Sequence, residues 1–329
     1  MTLNKYVCRE VERQEWDFYW AKIVGSNLLQ SWQYGEAKRL SQSWIPFRYA
    51  LESTDGEVVA ITQILTKTLP ILGGVARINR GPLLLSKVND QSPCVYLDLL
   101  RSILALRKTK RWWLFFMSPE INKGKLKNVD LTGLGLKLRK STPWASSSLN
   151  LSIDGDLLFK NLNGKWRNLL RKAQKSDIKV RKVCSKDPEF ESLLSLYENM
   201  KNKKNFAGMP TDLLRNLSKG QGAKWNFNVY IGELALDSEL SSEILGMLIS
   251  VHHGNTATYL IGYSGSDGRK VNVNYLLLFQ AIIDAKAAGC GSFDIGGLNK
   301  NTPKGIAHFK RGVSGVEYEL LGEYISKIF

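Results

Sequence analysis

Apolar and polar residues alternate in short runs along this chain, and most runs end at a turn signal. Phe47 to Leu51 and Val58 to Thr66 flank Asp55-Gly56, a pattern that predicts a hairpin. Gly73 to Asn79 predicts a further strand that ends in Arg80-Gly81-Pro82, and Trp112 to Met117 reads as a buried one. Between them Val95 to Leu106 has helical spacing and closes on Arg107-Lys108-Thr109-Lys110-Arg111, cations suited to a helix C-terminus. A helix entered after Ser31 would turn Trp32, Ala37 and Leu40 inward. Further on, strands are expected at Ser146 to Ile153, Ile178 to Val183, Trp225 to Ile231, Ile244 to Val251, Thr258 to Tyr263, Ser292 to Ile295 and Val316 to Ile328. Helices are expected at Leu157 to Lys175, N-capped by Asp154, and at Glu189 to Asn202, Thr211 to Leu217 and Val271 to Gly289. A last short helix carries His308-Phe309-Lys310-Arg311. Strands interleaved with helices predict a layered α/β protein, and the length allows two domains.

Charge sharpens that picture. Lys and Arg number 46 against 30 Asp and Glu, a formal net charge of +16 that favours polyanions. From Lys160 to Lys186 there are ten cations and one acid, Asp177. Leu162, Trp166, Leu169, Leu170 and Ala173 give the helix there an apolar face. Lys165, Arg167, Arg171, Lys172 and Lys175 lie on the outer face, either as a phosphate contact or as a solvated surface. The segment lacks the turn and second helix of a DNA-reading motif, so no DNA partner is expected. Cys8, Cys94, Cys184 and Cys290 are far apart and the histidines number three, which leaves no zinc spacing and points to a reducing compartment. Charges interrupt the N-terminus, and no apolar run approaches the ~20 residues of a membrane span, so a cytoplasmic protein is expected. The basic balance also allows peripheral contact with the inner face of a membrane.

Several short motifs then resemble the FemABX aminoacyltransferases, the peptidoglycan-bridge enzymes. They are Leu29-Gln30-Ser31 to Lys38, Ala76-Arg77-Ile78-Asn79-Arg80-Gly81-Pro82, and Lys165-Trp166-Arg167 to Lys175. The series continues with Tyr259, Ala287 to Gly289, Phe293-Asp294-Ile295-Gly296-Gly297, Phe309-Lys310-Arg311-Gly312 and Gly322-Glu323-Tyr324. The resemblance implies two GNAT-like domains in tandem, each a mixed sheet flanked by helices, without the family's coiled-coil arm. Residues 1–145 and a returning strand at 316–329 would form the first domain, and 146–315 the second. It implies transfer of an amino acid from aminoacyl-tRNA, the co-substrate, to an amine of an anionic cell-envelope precursor, either a peptidoglycan stem peptide or an amino-sugar glycan. No other cofactor or metal is implied. Lys310 matches the lysine that handles the acyl ester, Lys38 the lysine that contacts acceptor phosphate, and Tyr259 a tyrosine of the second central strand. Trp32, beside Lys38, is a further substrate-binding candidate. Phe309 would face inward and Arg311 would reach phosphate, while Arg167, Arg171 and Lys172 would meet tRNA or acceptor phosphates. The family's diphosphate-holding arginine is missing, because Phe206 is followed by Met209 and Leu213.

The chemistry is amide formation from an activated ester, in which attack creates an oxyanion. A lysine ammonium can stabilise that charge, and Lys310 is assigned this role. No general base stands out; Asp294 is the best-placed carboxylate, although an Asp before Gly-Gly commonly caps a turn. The rival is an acyl-CoA N-acyltransferase acting on a nucleotide- or lipid-linked sugar, with acetyl-CoA as donor. Its pyrophosphate loop has the form Arg/Gln-x-x-Gly-x-Gly/Ala, and here Asn272 and Asn274 stand at the two glycine positions, which predicts a weakened cradle. A non-catalytic RNA-binding protein is the remaining alternative; no RNP, KH or zinc-knuckle signature supports it.

Overall fold

The computed structural model describes residues 5–69, 73–85, 93–123, 131–206, 208–234 and 243–327. Two compact units divide the chain. One comprises Met1–Ala145, Asn299–Asn301 and Tyr318–Phe329; the other comprises Ser146–Leu298 and Thr302–Glu317.

The first unit opens with β1 (Tyr6–Glu10), α1 (Arg13–Trp20), a 3-10 turn at Leu28–Gln30 and α2 (Trp32–Gln42). The Ser31 hydroxyl caps α2 by accepting the Tyr34 N–H at 3.1 Å. Next come β2 (Ile45–Ser53), β3 (Val58–Leu69), β4 (Gly73–Asn79), β5 (Leu83–Leu84), α3 (Pro93–Thr109), β6 (Trp112–Ser118) and β7 (Lys137–Leu138). The hairpin at Asp55-Gly56 forms between β2 and β3. Leu99, Leu100 and Ile103 of α3 pack with Ile64, Ile78 and Phe115 on one side of the sheet, while Trp16, Trp20 and Ile61 build a core under α1. Leu40 does not turn inward as its spacing predicts: it is 58% exposed, and Tyr34, Gly35 and Ala37 are the buried residues of α2.

The second unit contains β8 (Ala145–Asn150), α4 (Gly155–Asn161), α5 (Gly164–Gln174), β9 (Ile178–Val183), α6 (Pro188–Lys204) and α7 (Thr211–Ser218). It continues with β10 (Trp225–Leu234), β11 (Ile244–His253), β12 (Thr256–Ser264), α8 (Ser266–Lys270), α9 (Val273–Ala287), β13 (Ser292–Asp294), α10 (Lys304–Arg311) and β14 (Val316–Glu319). The single helix expected from Leu157 to Lys175 is two. Leu162 leaves the helical region, and the Asn163 side chain caps the second segment by accepting the Lys165 N–H at 3.0 Å. Leu277, Leu278, Ala281 and Ile282 of α9 pack with Trp166 and Leu170 of α5 on one face of the sheet. Phe190, Leu193 and Leu194 of α6 cover the other, with Leu214 of α7.

The expected last strand is also two. β14 joins the second sheet, and β15 (Tyr324–Lys327) returns to the first, between β6 and β7. Gly322, at φ +111°, lies in the break. The first sheet runs β1-β2-β3-β4-β6-β15-β7, with β5 on β3; the second runs β14-β8-β13-β12-β11-β10-β9. Each contains a parallel pair, β4 with β6 and β12 with β13.

Candidate active site

The parallel pair of the second unit is short. Thr256, Ala257 and Thr258 of β12 pair with Ser292, Phe293 and Asp294, and there β13 ends. β12 itself continues to Ser264 beside β11, with Leu260 as an extra residue between the pairs Ile249–Ile261 and Ser250–Tyr259. A bulge of this kind bends a strand and re-aims its side chains. From Tyr259 onward β12 has no partner on the β13 side among the described residues.

Lys310 occupies that opening. Its ammonium donates to the Gly297 carbonyl at 3.2 Å and lies 4.9 Å from the centre of the Tyr259 ring. Although charged, the residue is only 7% exposed. Burial pushes its pKa down to about 8, and the Asp294 carboxylate opposes that shift. Gly296 has φ +72°, and a Cβ there would lie 2.9 Å from the Tyr259 carbonyl and 3.3 Å from the ammonium. Only glycine suits both the conformation and the space.

The motif around Lys310 has a packing reason. Phe309 stacks on Trp166 with ring centres 6.1 Å apart and meets Tyr275 edge-on at 5.0 Å. Trp166 Nε1 donates to the Phe309 carbonyl at 3.0 Å. Gly312 permits the approach, since a Cβ there would lie 2.2 Å from the indole. The aromatic contact on α5 and α9 thus fixes α10 and aims its lysine. Asp294 does cap a turn: its Oδ1 accepts the Gly296 N–H at 2.8 Å and the Ser146 hydroxyl at 2.5 Å.

The structure separates the remaining candidates. Lys310, Phe309 and Tyr259 come together in the second unit. Arg311 is exposed and pairs with Glu317 at 2.9 Å. On α5, Arg167 donates to the Lys160 carbonyl at 2.6 Å, Arg171 lies 5.3 Å from the Phe159 ring centre, and Lys172 is exposed. Trp32 belongs to the first unit, where it is half-buried among other side chains. The Arg48 guanidinium lies 3.5 Å from its ring centre, Arg13 lies 5.1 Å away, and Trp16 meets it edge-on at 6.4 Å.

Lys38, also in the first unit, is half-buried and donates to Gln42. Burial, and then the charges of Arg77 and Lys67, hold its ammonium below the usual lysine range. Sequence reasoning left out Lys67 and Arg77 as site residues. Their signal was the register that places β3 and β4 side by side, with Leu65 opposite Arg77 and Lys67 opposite Val75. Where an arginine was missing from the sequence, Met209 packs against the α6 core and Leu213 is buried. A cavity of about 390 Å³ in the first unit is lined by Ile45, Phe47, Thr66 and Trp112 together with the cations Lys67, Lys110 and Arg111. No group of three or more metal-ligating side chains occurs among the described residues, and no described helix is long and apolar enough to cross a membrane.

Residues 160–311, which include α5, β12, the opening and α10, match the family described as Acetyltransferase (GNAT) domain. The match falls largely within the second unit. Among solved structures the chain is similar to FemX, at 18% identity over 97% of each chain with a TM-score of 0.79. It is also similar to the C-terminal domain of a putative lysylphosphatidylglycerol synthetase from Agrobacterium fabrum, at 13% identity over 90% of this chain and 87% of that one, TM-score 0.55. A tandem GNAT protein from the clavulanic acid biosynthesis pathway matches at 9% identity over 98% of both chains, TM-score 0.51. The α/β fold of two GNAT-like units in tandem is therefore established, and the GNAT domain makes the chain a transferase. No protein of curated function matches the sequence.

The loop after β12 carries the two asparagines that stand at the glycine positions. Asn272 adopts φ +62° and ψ +32°, the left-handed conformation that favours glycine, and precedes the first residue of α9. The backbone of the turn is therefore reached without glycine.

Proposed function

We propose that the chain transfers an aminoacyl group from aminoacyl-tRNA to an amine of an anionic cell-envelope precursor. The observation that carries the reading is the buried Lys310 ammonium in the opening beside β12. In the proposed reaction an amine attacks the ester carbonyl and a C–N bond forms. The carbonyl oxygen becomes an oxyanion beside the Lys310 ammonium. The C–O bond to the tRNA ribose then breaks, and the proton lost by the amine ends on the departing hydroxyl or in solvent. A fixed cation in a dry site stabilises such a transition state by a few kcal/mol. Because an aminoacyl ester is already activated, positioning supplies much of the rest.

The basic outer face of α5, with Arg167, Arg171 and Lys172, is the proposed contact for tRNA phosphates. Lys38, with Lys67 and Arg77 near it, is the proposed contact for the acceptor's phosphates. The neighbour named as a lysylphosphatidylglycerol synthetase supports an aminoacyl product on this fold. The left-handed Asn272 favours a second reading, transfer from acyl-CoA, since the turn at the start of α9 remains available to a pyrophosphate. Incubation with charged tRNA, with acetyl-CoA and with a panel of amine acceptors separates the two. Transfer from charged tRNA is expected; transfer from CoA alone would overturn the proposal in favour of the second reading.

A further inference from the structure

We propose that Asp294 and Ser146 are positioning residues for Lys310: together they pin the Gly296-Gly297 turn that receives the ammonium, and the carboxylate supplies its counter-charge. The inference rests on the acyl-transfer reading for its consequence in turnover, and on geometry for the arrangement itself.

Asp294 ends β13 and Ser146 lies on the neighbouring strand β8; they are 6% and 1% exposed. The Ser146 hydroxyl lies 2.5 Å from Asp294 Oδ1 and 2.8 Å from the Gly296 carbonyl. Asp294 Oδ1 also accepts the Gly296 N–H at 2.8 Å. The turn is thus held at the N–H of one left-handed glycine, while the single Ser146 hydroxyl proton is shared between the carboxylate and that glycine's carbonyl. The next carbonyl, that of Gly297, accepts Lys310 at 3.2 Å. A shift in this turn would move the ammonium's acceptor directly.

Among the described residues Asp294 is the charge that acts on the Lys310 ammonium. Burial disfavours the ammonium, and the Asp294 carboxylate acts against it. Tyr259, facing from β12, keeps its proton because burial raises its phenol. From α5, Trp166 packs on Phe309 and brings no charge. On α10 itself His308 is exposed and Arg311 is paired with Glu317.

A turn cap alone would make the same hydrogen bonds without needing the charge. Asp294→Asn separates the two roles, because the amide oxygen still accepts both donors. Asp294→Ser is the second variant, with a smaller acceptor and again no charge. The direct readout is the pH dependence of Lys310 acylation by acetic anhydride, followed by mass spectrometry of its peptide. The titration midpoint should fall by about one unit or more in both variants, a roughly tenfold loss of ammonium at fixed pH. The alkaline limb of kcat should move down with it, while KM for the acceptor stays close to wild type. Ser146→Ala should lower kcat and leave the midpoint in place. An unchanged Lys310 midpoint in folded Asp294→Asn would overturn the proposal. The labelling result stands even if no donor supports transfer, so failure of the proposal and failure of the functional reading are distinct outcomes.

Discussion

In the first unit the parallel strands β4 and β6 stay paired from Gly74 to Asn79, while in the second the pair β12 and β13 gives out after Thr258. The ends of the two pairs are furnished differently. Beyond Asn79, the Arg80 N–H donates to the Ser118 carbonyl at 2.7 Å, and the Arg80 guanidinium binds both oxygens of Glu120 at 2.7 Å. Asn27 and Gln30 add bonds to the carbonyls of Arg80 and Asn79. The Arg80 charge there is matched by Glu120. Beyond Thr258, a bulged strand, a left-handed glycine and a buried lysine leave a position where a developing negative charge gains a partner. The same architecture thus appears once closed by an ion pair and once opened around a lysine. On the proposed reading the chemistry belongs to the second unit and acceptor binding to the first.

The largest test of that assignment compares the two ends. Lys310→Ala should reduce kcat by about a hundredfold or more, the usual cost of losing an oxyanion partner. Glu120→Ala should leave kcat within about twofold while lowering stability, because it strands a largely buried guanidinium. Equal losses of kcat in the two variants would dissolve the distinction. Trp166→Ala should destabilise the second unit by ~3–5 kcal/mol, the range for deleting a buried aromatic, read as an earlier unfolding step by tryptophan-independent circular dichroism.

Acidity sharpens the comparison further. If the ammonium is the working form, kcat should fall as pH rises through about 8, the value set by burial of Lys310. A rise over that interval would instead make Lys310 a base. Next in size, Lys38→Ala or Arg77→Ala should raise KM for a phosphate-bearing acceptor by about tenfold with little change in kcat. A fall in kcat at unchanged KM would move these residues from binding to chemistry. The smallest effect is expected on α5: Arg171→Glu should weaken tRNA binding most at low salt, where the phosphate contact is least screened. Affinity unchanged at low salt would reduce that face to a solvated surface.

Most strands were legible because their apolar runs were bounded by turn residues; Ile178 to Val183 has the predicted ends. The helix break at Leu162 was harder to see. Apolar spacing continues through it, while the deciding signal, Asn163 before Gly164, is a local cap competing with that periodicity. Lys310 was found through a resemblance of motifs. Its environment was not legible, since the bonds that shape it join residues such as Ser146 and Asp294, 148 positions apart. Charge counts likewise showed that cations were abundant without showing that Arg311 is spent on Glu317 or that Lys67 and Arg77 lie near Lys38.

The return of β15 sets an order of assembly. Tyr324 to Lys327 must slot in beside Leu114 to Met117, between β6 and β7, before the first sheet is continuous. The first unit, begun before the second, is therefore finished by a strand made after it. Nascent chains stopped at about residue 320 should carry an incomplete first sheet, whereas all seven strands of the second are by then already synthesised.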